Sequence, residues 1–384
     1  MSSIVLVFQY TVVFFGLIYA GLIIAYTIGW FRMRYFNTES RLAIHTKTSI
    51  IIPARNEEEN ISDLLGDLIK QTVDKDLYEI VVVDDHSTDR TAQVVRDFID
   101  THPGCNLKLL VQSEVAKNPT FKKKAIERGI SESTGELIIT TDADCRMGEK
   151  WLETIIRYYE THKPALMVGP VNFYNEKTLF EKIQTPEFLS LIAITAGAIS
   201  IKKPIMCNGA NLAYQRKIFI EAGGYGGDRF SSGDDVFLML RIAKMAGNKA
   251  IRFIKNVDAL VFTEARKTPA EFYQQRTRWA SKNKGYDINI LFVSVTVYLV
   301  NLLQVAGIFL ALFFPALWIF ISIFTLIKVV VDLPVIIGIS TFVQNKKLLL
   351  YALPLIFVYP FYIVITGAMG IVGSYTWKDR KVKN

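Results

Sequence analysis

The feature that most constrains this chain is the position of its apolar segments, which lie at its two ends. Ile4–Trp30 contains no charged residue. As a helix rising ~1.5 Å per residue it would reach roughly 40 Å, which is enough to cross a bilayer. A cleaved signal peptide explains the segment less well, because no basic region precedes it and the apolar run is too long. We therefore predict an N-terminal transmembrane helix over residues 4–31.

A second apolar block covers residues 288–374 and predicts about three further membrane spans. Their expected limits are Ile288–Phe314, Pro315–Ser340 and Leu348–Ser374. Arg32 and Arg34 directly follow the first helix, so the positive-inside rule places the central part of the chain in the cytoplasm. We therefore expect an integral membrane protein of a bacterial inner membrane, with its central domain in the cytoplasm.

The C-terminal tail conflicts with this simple topology. Four spans place both chain ends outside the cell, yet residues 375–384 are basic, which favours the inside. Either one C-terminal segment is re-entrant or interfacial, or the rule fails for so short a tail. Inside the second C-terminal span, Lys328 and Asp332 have the i,i+4 spacing of a neutralising pair. Both a functional site and a structural pair fit that spacing.

The central residues 45–268 predict a water-soluble α/β domain. The chain is 51% hydrophobic and 21% charged, a mixture that fits a soluble domain joined to membrane segments. Short apolar runs alternate with amphipathic stretches, which predicts βαβ units and a mostly parallel sheet. The expected strands are Ser49–Pro53, Ile80–Val83, Leu107–Val111 and Leu137–Thr141.

Cysteine usage and net charge exclude several classes of protein. Cys105, Cys145 and Cys207 lack the spacing of a zinc site, and an odd number of cysteines argues against a disulfide framework. Reduced cysteines are consistent with a cytoplasmic domain. The formal net charge is +8, but the basic residues are dispersed and no recognition motif accompanies them, so we predict no nucleic-acid partner.

Two carboxylates one residue apart, Asp142 and Asp144, follow the predicted strand at 137–141. In an extended segment alternate side chains point the same way, so both acids can converge on one cation. Paired carboxylates suit Mg²⁺ or Mn²⁺, especially when phosphate oxygens share the ion. An isolated Asp-x-Asp is more often a solvated turn, so the prediction depends on what the rest of the chain adds.

Polar clusters also follow the first two predicted strands, at Pro53–Glu59 and Asp84–Thr91. Because the carboxyl ends of parallel strands meet at one edge of a sheet, we expect these clusters to lie beside Asp142 and Asp144. A carboxylate-rich edge that also holds a polyphosphate requires a metal ion, since like charges otherwise repel. Together the clusters favour a cation-dependent phosphate site.

Five motifs in this order resemble those of membrane-bound family 2 glycosyltransferases with a GT-A fold. They are Ser49-Ile-Ile-Ile-Pro-Ala-Arg-Asn-Glu57, Val82-Val-Asp-Asp-His-Ser-Thr-Asp-Arg-Thr91, Thr141-Asp-Ala-Asp144, Ser232-Gly-Asp-Asp235 and Gln275-Arg-Thr-Arg-Trp279. They extend over nearly the whole cytoplasmic domain. The resemblance implies an α/β GT-A domain with a mixed, mostly parallel sheet between N- and C-terminal transmembrane helices.

The resemblance also implies a nucleotide-sugar donor, which we expect to be UDP-linked. Asp142 and Asp144 would bind its diphosphate through Mg²⁺ or Mn²⁺. For Lys122 a solvated basic helix face is an equal alternative. The donor-binding residues implied by the resemblance are Pro53, Ala54, Arg55, Glu57, Asp84, Asp85, Lys122, Asp142 and Arg278.

On the acceptor side, the resemblance makes Asp235 the general base, with Asp234 beside it. Asp234 also fits an N-cap, and Asn208-Gly209 also fits an ordinary turn. Residues 269–287 predict an amphipathic interfacial helix, because Gln275 and Trp279 share one helix face. The acceptor-binding residues implied by the resemblance are Asn208, Gly209, Asn211, Gln275 and Trp279.

The main hypothesis is therefore an inverting membrane glycosyltransferase of the cell envelope, hexosyltransferase in type. It would transfer sugar on the cytoplasmic side to a lipid-linked or membrane-lipid acceptor. A processive polysaccharide synthase of the same family is one alternative, since the Gln-x-x-Arg-Trp motif occurs in both. A non-catalytic membrane scaffold that retains the fold is an alternative of another class.

Overall fold

A computed structural model describes residues 3–38, 43–112, 121–226, 233–280, 285–372, 374–377 and 380–383. The helices are α1 (Ser3–Arg32), α2 (Ile61–Ile69), α3 (Thr91–Thr101), α4 (Phe121–Ser131), α5 (Trp151–His162), α6 (Leu179–Ser200), α7 (Arg216–Glu221), α8 (Asp234–Ala246), α9 (Pro269–Ala280), α10 (Ile288–Ala311), α11 (Leu317–Phe342) and α12 (Leu348–Val372). The strands are β1 (Thr48–Ala54), β2 (Tyr78–Asp84), β3 (Leu107–Val111), β4 (Leu137–Thr140), β5 (Arg146–Met147), β6 (Leu166–Val168), β7 (Val171–Tyr174), β8 (Leu212–Gln215), β9 (Ile251–Phe253), β10 (Val261–Glu264), β11 (Ser374–Trp377) and β12 (Arg380–Lys383).

The central sheet has seven strands in the order β3-β2-β1-β4-β8-β6-β9. Strands β1 to β4 are mutually parallel, whereas β8 is antiparallel to both its neighbours. The predicted α/β class with a mixed, mostly parallel sheet is therefore confirmed. Ala54 pairs with Asp84 across β1 and β2, so the polar clusters that follow these strands lie side by side, as predicted.

The sheet core follows from apolar strands that are covered on both faces. Ile50–Ile52, Val81–Val83 and Leu137–Ile139 are fully buried, as expected for parallel strands that helices cover on both sides. Helix α2 contributes Ile61, Leu64, Leu65 and Leu68, all fully buried at helical spacing. A smaller sheet with the order β5-β10-β7 accompanies the central sheet.

The predicted apolar segments form α1, α10, α11 and α12, and each is long and apolar enough to cross a membrane. The observed limits agree with the expected spans to within about three residues, an agreement typical of helix ends. In α11 and α12, 11% of the most apolar window is buried inside the protein. Their outer surfaces are therefore suited to contact with lipid.

Sequence reasoning misses one long apolar helix, α6. Its most apolar window is 72% buried inside the protein, and the helix packs against both α1 and the sheet domain. A Cβ on Gly197 would lie 2.0 Å from the carbonyl oxygen of Tyr26 on α1, so only glycine permits this approach. Helix α6 thus joins the soluble domain to the membrane helices.

Both ends of α12 lie near the soluble domain. At its start, Leu348 is buried in the cluster that also contains Trp30, whose carbonyl accepts a hydrogen bond from Lys255 of the domain at 2.8 Å. Near its end, a Cβ on Gly370 would lie 2.5 Å from the Cβ of Ala280 at the end of α9. Pro354 and Pro360 lie within the helix. Both ends of this continuous helix therefore lie on the domain side.

Candidate active site

The loops that follow β1 and β2 are joined by hydrogen bonds between side chains and backbone. The guanidinium of Arg55 donates to the carbonyls of Asp85 at 2.9 Å and His86 at 3.1 Å. Asn56 accepts a hydrogen bond from the backbone N–H of Thr88 at 2.9 Å. Asn56 and His86 both have positive φ angles, near 53° and 58°. The two loops therefore form one fixed wall at the carboxyl edge of the sheet.

The predicted nucleoside-binding residues lie along this wall. Asp84 and Asp85 are 3% and 2% exposed; Asp84 accepts a hydrogen bond from the Ser87 hydroxyl, and Asp85 contacts the His86 ring at 3.0 Å. Glu57 is also buried and accepts a hydrogen bond from Asn60 at 2.8 Å. Two of the remaining predicted residues, Pro53 and Arg55, are half-buried, and Ala54 is buried.

Asp142 and Asp144 lie in a turn and not in the predicted extended segment. The backbone N–H of Cys145 donates to the carbonyl of Asp142 at 3.2 Å, which closes a four-residue turn. The expected backbone geometry was wrong because β4 already ends at Thr140. Both acids are nevertheless partly exposed, while Ala143 between them is buried.

Lys122 and Lys123 pair with different acids of the site. Lys122 Nζ lies 2.5 Å from Asp142 Oδ1, and Lys123 Nζ lies 3.3 Å from Asp234 Oδ1. Burial alone would lower the pKa of Lys122, but Asp142, with Asp234 and Asp235, raises it overall. These acids, which lie far apart in the sequence, therefore surround the start of α4.

Asp235 lies in the first turn of α8, after Gly233 with a φ of 94°. The backbone N–H of Gly209 donates to Asp235 Oδ2 at 3.0 Å, and the carbonyl of Gly209 accepts from the Thr140 hydroxyl at 3.1 Å. The end of β4 thus positions the carboxylate through one loop. Ser232, part of the same sequence motif, lies outside the described residues.

The two asparagines of this loop have different positions. Asn211 is 1% exposed; its amide nitrogen donates to the carbonyls of Pro170 and Ala259, each at 2.8 Å. Its side chain is therefore used inside the core, which contradicts the predicted acceptor contact. Asn208 is half-buried and lines the cavity described below, beside Asp235, so the acceptor prediction for Asn208 and Gly209 stays a prediction.

Helix α9 carries the Gln-x-x-Arg-Trp motif, and its most buried cation is a residue that sequence reasoning did not select. Arg276 is 3% exposed and bonds to Glu187 on α6. Its guanidinium lies 4.2 Å from the ring centre of Trp279. Gln275, Arg278 and Trp279 are half-buried. Glu187, an acid within the apolar sequence of α6, was the available signal for Arg276, since a buried charge requires a partner.

A cavity of about 950 Å³ extends from Asp235, near the carboxyl edge of the sheet, into the apolar helices. Asn208, Asp235 and Tyr286 line one part of it, and mostly apolar side chains of α1, α6, α10, α11 and α12 line the rest. Burial, followed by the charge of Asp235, raises the pKa of Tyr286 above its usual value. An apolar cavity with a few polar groups is the common form of a ligand site.

Two family profiles match the chain. The profile of glycosyl transferase family 2 matches residues 49–223, and that of glycosyl transferase family group 2 matches residues 137–366. The second profile covers more than half of the chain and includes α6, α9 and most of the C-terminal helices. The match therefore includes the membrane-associated part as well as the central sheet.

Curated relatives agree with these profiles. The chain is 28% identical over 243 residues to the probable glycosyltransferase YdaM of Bacillus subtilis, covering 62% of this chain and 55% of the relative. It is 29% identical over 188 residues to the glycosyltransferase AglE of Haloferax volcanii, covering 48% and 58%. The chain thus spans little more than half the length of these relatives.

One solved structure is similar over almost the whole chain. It is the mannosyltransferase PcManGT from Pyrobaculum calidifontis in complex with GDP-Man and Mn²⁺. The similarity covers 95% of this chain and 99% of that chain, with a TM-score of 0.58 and 17% sequence identity. At this identity the comparison supports the shared GT-A fold.

Proposed function

This chain belongs to glycosyltransferase family 2, and we propose that it transfers a sugar from a nucleotide-sugar donor to an acceptor lipid held in the cavity. The observation that carries the proposal is the continuity of this cavity from Asp235 into the apolar helices. A lipid chain fits apolar walls, because burying it removes apolar surface from water. Its polar head would then lie beside the carboxylate.

The site offers two carboxylates to a divalent cation. Asp142 and Asp144 offer carboxylate oxygens, and Lys122 against Asp142 shows that this position accepts positive charge. Among the described residues no group of three or more His, Cys, Asp or Glu side chains could hold an ion. Two protein ligands plus substrate phosphate is a usual arrangement for Mg²⁺. When bound, Mg²⁺ or Mn²⁺ would offset the charge of the departing diphosphate.

The protein's own groups suit a single-displacement, inverting transfer. Asp235 takes the proton from the acceptor hydroxyl, a role in which a carboxylate must be held in place. The hydrogen bond from Gly209 N–H fixes Asp235 Oδ2. The wall formed by the loops after β1 and β2 binds the nucleoside, and we propose UDP-linked sugar as the first donor to test. Arg278 and Lys122 face the diphosphate in this proposal.

We also propose that three helices, α1, α10 and α11, cross the membrane. Both ends of helix α12 then stay on the domain side, because Leu348 and Gly370 both lie near domain-side elements. This topology places the basic tail in the cytoplasm, in agreement with the positive-inside rule. A C-terminal green fluorescent protein should therefore fluoresce, and a C-terminal alkaline phosphatase should be inactive. An active C-terminal phosphatase would contradict the proposal.

The transfer reaction is tested with the purified full-length protein. A panel of UDP- and GDP-sugars is supplied with Mn²⁺ and a native lipid extract, and the products are identified by mass spectrometry. We expect a glycolipid enlarged by one sugar, and a loss of about 10²–10⁴-fold in Asp235→Asn, the usual contribution of a general base.

A matched control is Asp97→Asn, the same change at an exposed position on α3, which should transfer sugar at the wild-type rate. Equal activity of Asp235→Asn and wild type would reject Asp235 as the base. A ladder of long products would assign the chain to processive synthesis. Nucleotide-sugar binding without turnover would favour a non-catalytic scaffold.

A further inference from the structure

A group of polar side chains lines the cavity among the membrane helices. Thr325, Lys328 and Asp332 follow one another at i, i+3 and i+7 on α11, so they share one helix face. Tyr19 of α1 and Gln304 of α10 line the same cavity. Polar residues in such a position are uncommon in membrane helices and typically mark a binding site or a pathway.

The charges in this group are balanced. Lys328 Nζ lies 2.7 Å from Asp332 Oδ2, and the hydroxyl of Tyr19 donates to Asp332 Oδ1 at 2.7 Å. The ammonium group also lies 5.1 Å from the ring centre of Tyr19 and 5.4 Å from that of Tyr359. One positive and one negative charge cancel, so the group has no excess positive charge with which to bind a phosphate.

Gln304 supplies an observation that points to a ligand. Its side-chain nitrogen donates to the Thr325 hydroxyl at 2.9 Å. Its oxygen is buried and has no hydrogen-bond partner within the part of the chain that the structure describes, and the residue is 3% exposed. A buried acceptor without a donor has lost its hydrogen bonds to water without replacement, which is unfavourable. A ligand hydroxyl in the cavity would remove that cost.

From these observations we infer that Gln304, Lys328 and Asp332 bind a hydroxyl-bearing sugar unit of the lipid product, in the membrane part of the cavity and apart from the acceptor head group beside Asp235. The inference rests on the proposed function. A hydroxyl can donate to Gln304 Oε1 and accept from Lys328, which a hydrocarbon chain cannot do. The ring of Tyr359 adds an aromatic face. The ligand class that follows for this position is a glycolipid, and not a lipid phosphate without sugar.

The inference is tested by lipid retention in the full-length protein. Purified wild type, Gln304→Leu and Asn301→Leu are each mixed with monoglucosyl-diacylglycerol and with diacylglycerol, and bound lipid is counted by native mass spectrometry. Asn301 is the matched control, because it is a fully buried amide one turn earlier on α10 whose oxygen also has no partner among the described residues, but it does not line the cavity.

Wild type and Asn301→Leu should retain the glucosylated lipid in preference to diacylglycerol. In Gln304→Leu this preference should fall by roughly three- to twentyfold, the effect of one hydrogen bond inside a membrane protein. Equal retention of both lipids by wild type would overturn the inference, and so would an unchanged preference in Gln304→Leu.

A second variant keeps the inference testable if Gln304→Leu does not fold. Lys328→Met combined with Asp332→Leu removes both charges together, so no unpaired charge stays buried. It should also lose the preference for glucosylated lipid. Retention of the preference would remove Lys328 and Asp332 from the site. If free maltotriose also binds and Gln304→Leu abolishes this binding, the ligand is a growing glycan; if maltotriose does not bind, it is a lipid headgroup.

These outcomes are separate from those that test the transfer reaction. Failure of Asp235→Asn to reduce transfer would contradict the proposed base, yet a sugar preference that depends on Gln304 would still show a sugar site. Conversely, a working transferase whose Gln304→Leu variant keeps its lipid preference would contradict this inference alone.

Discussion

The two ends of the parallel strands carry buried or partly buried carboxylates with opposite character. At the amino end, Glu79 on β2 is 3% exposed and accepts hydrogen bonds from Ser49 Oγ at 2.8 Å and Thr134 Oγ1 at 2.9 Å. Lys108 Nζ adds an ion pair at 2.8 Å. At the carboxyl end, 35% of the Asp142 side chain is exposed, and several acids face the same cleft.

This difference separates a carboxylate that stabilises the fold from one that is placed for a ligand. Glu79 is enclosed by donors from the two neighbouring strands, β1 and β3, and from the turn before β4, so its charge is fully used inside the protein. Asp142, Asp234 and Asp235 instead gather three like charges beside two lysines, Lys122 and Lys123, an arrangement that gains from a bound cation. Exposure and charge balance therefore predict which variants lose activity and which lose stability.

The largest expected effect is on activity at the carboxyl end. Asp142→Asn should reduce sugar transfer by about 10²–10³-fold, the usual loss when one charge-stabilising group is removed. Its melting temperature should change little, because the side chain is partly exposed. Transfer rate and thermal unfolding of the full-length protein in detergent are the measurements. A large fall in melting temperature would show that Asp142 also stabilises the fold, which would contradict the difference between the two ends.

Glu79→Gln should instead lose stability and keep its transfer activity. Losing a charged acceptor of several hydrogen bonds should lower the free energy of unfolding by about 2–3 kcal/mol, a fall of roughly 5–10 °C in melting temperature for a domain of this size. Transfer per folded molecule should stay within about twofold. Strongly reduced transfer in the folded fraction would show that the amino end also serves the reaction.

The pH dependence of stability sharpens the same comparison. Burial alone would raise the pKa of Glu79, but hydrogen bonds from Lys108, Thr134 and Ser49 lower it to about 2. Because the folded-state pKa lies below the usual 4.5, this contribution is complete above pH 4.5 and is lost as pH falls towards about 2.

As pH falls from about 4.5 to 2, the melting temperature of wild type should therefore decrease more steeply than that of Glu79→Gln. The difference between the two proteins should be greatest near neutral pH and should shrink over that interval. Parallel curves for wild type and variant would show that Glu79 does not titrate with this low pKa.

Lys108→Met should have the smallest of these effects on stability. The lysine side chain is 44% exposed, so its ion pair with Glu79 should contribute about 0.5–1 kcal/mol or less. Melting temperature should fall by no more than about 4 °C, and adding salt should reduce the wild-type value towards that of the variant. A loss as large as that of Glu79→Gln would mean that the ion pair, and not the neutral donors, stabilises this end.

Much of the fold was predictable because it depends on local pattern. The runs at Ile50–Ile52 and Val81–Val83 are too apolar for any place but a covered parallel sheet. The acids at Asp142 and Asp144 were correctly placed at its carboxyl edge, although the backbone there forms a turn. Helix α6 was missed because its apolar character is moderate and Pro186 and Glu187 interrupt it.

The individual contacts of the candidate site were less predictable. Lys122 and Lys123 are neighbours with the same chemistry, yet one pairs with Asp142 and the other with Asp234. Arg276 and Arg278 are two residues apart on one helix, and Arg276 is the buried one. Helical spacing predicts which residues share a face, but the elements packed around α9 determine which face is buried.

By itself, the sequence determined the membrane segments, the alternating strands and helices, and the order of the acidic motifs, since each depends on residues close together in the chain. The tertiary structure decided that Asn211 serves the core, that both ends of α12 lie on the domain side, and that Gln304 lines the same cavity as Lys328 and Asp332. Such contacts join distant segments, and their energies depend on burial and partners that no local pattern specifies.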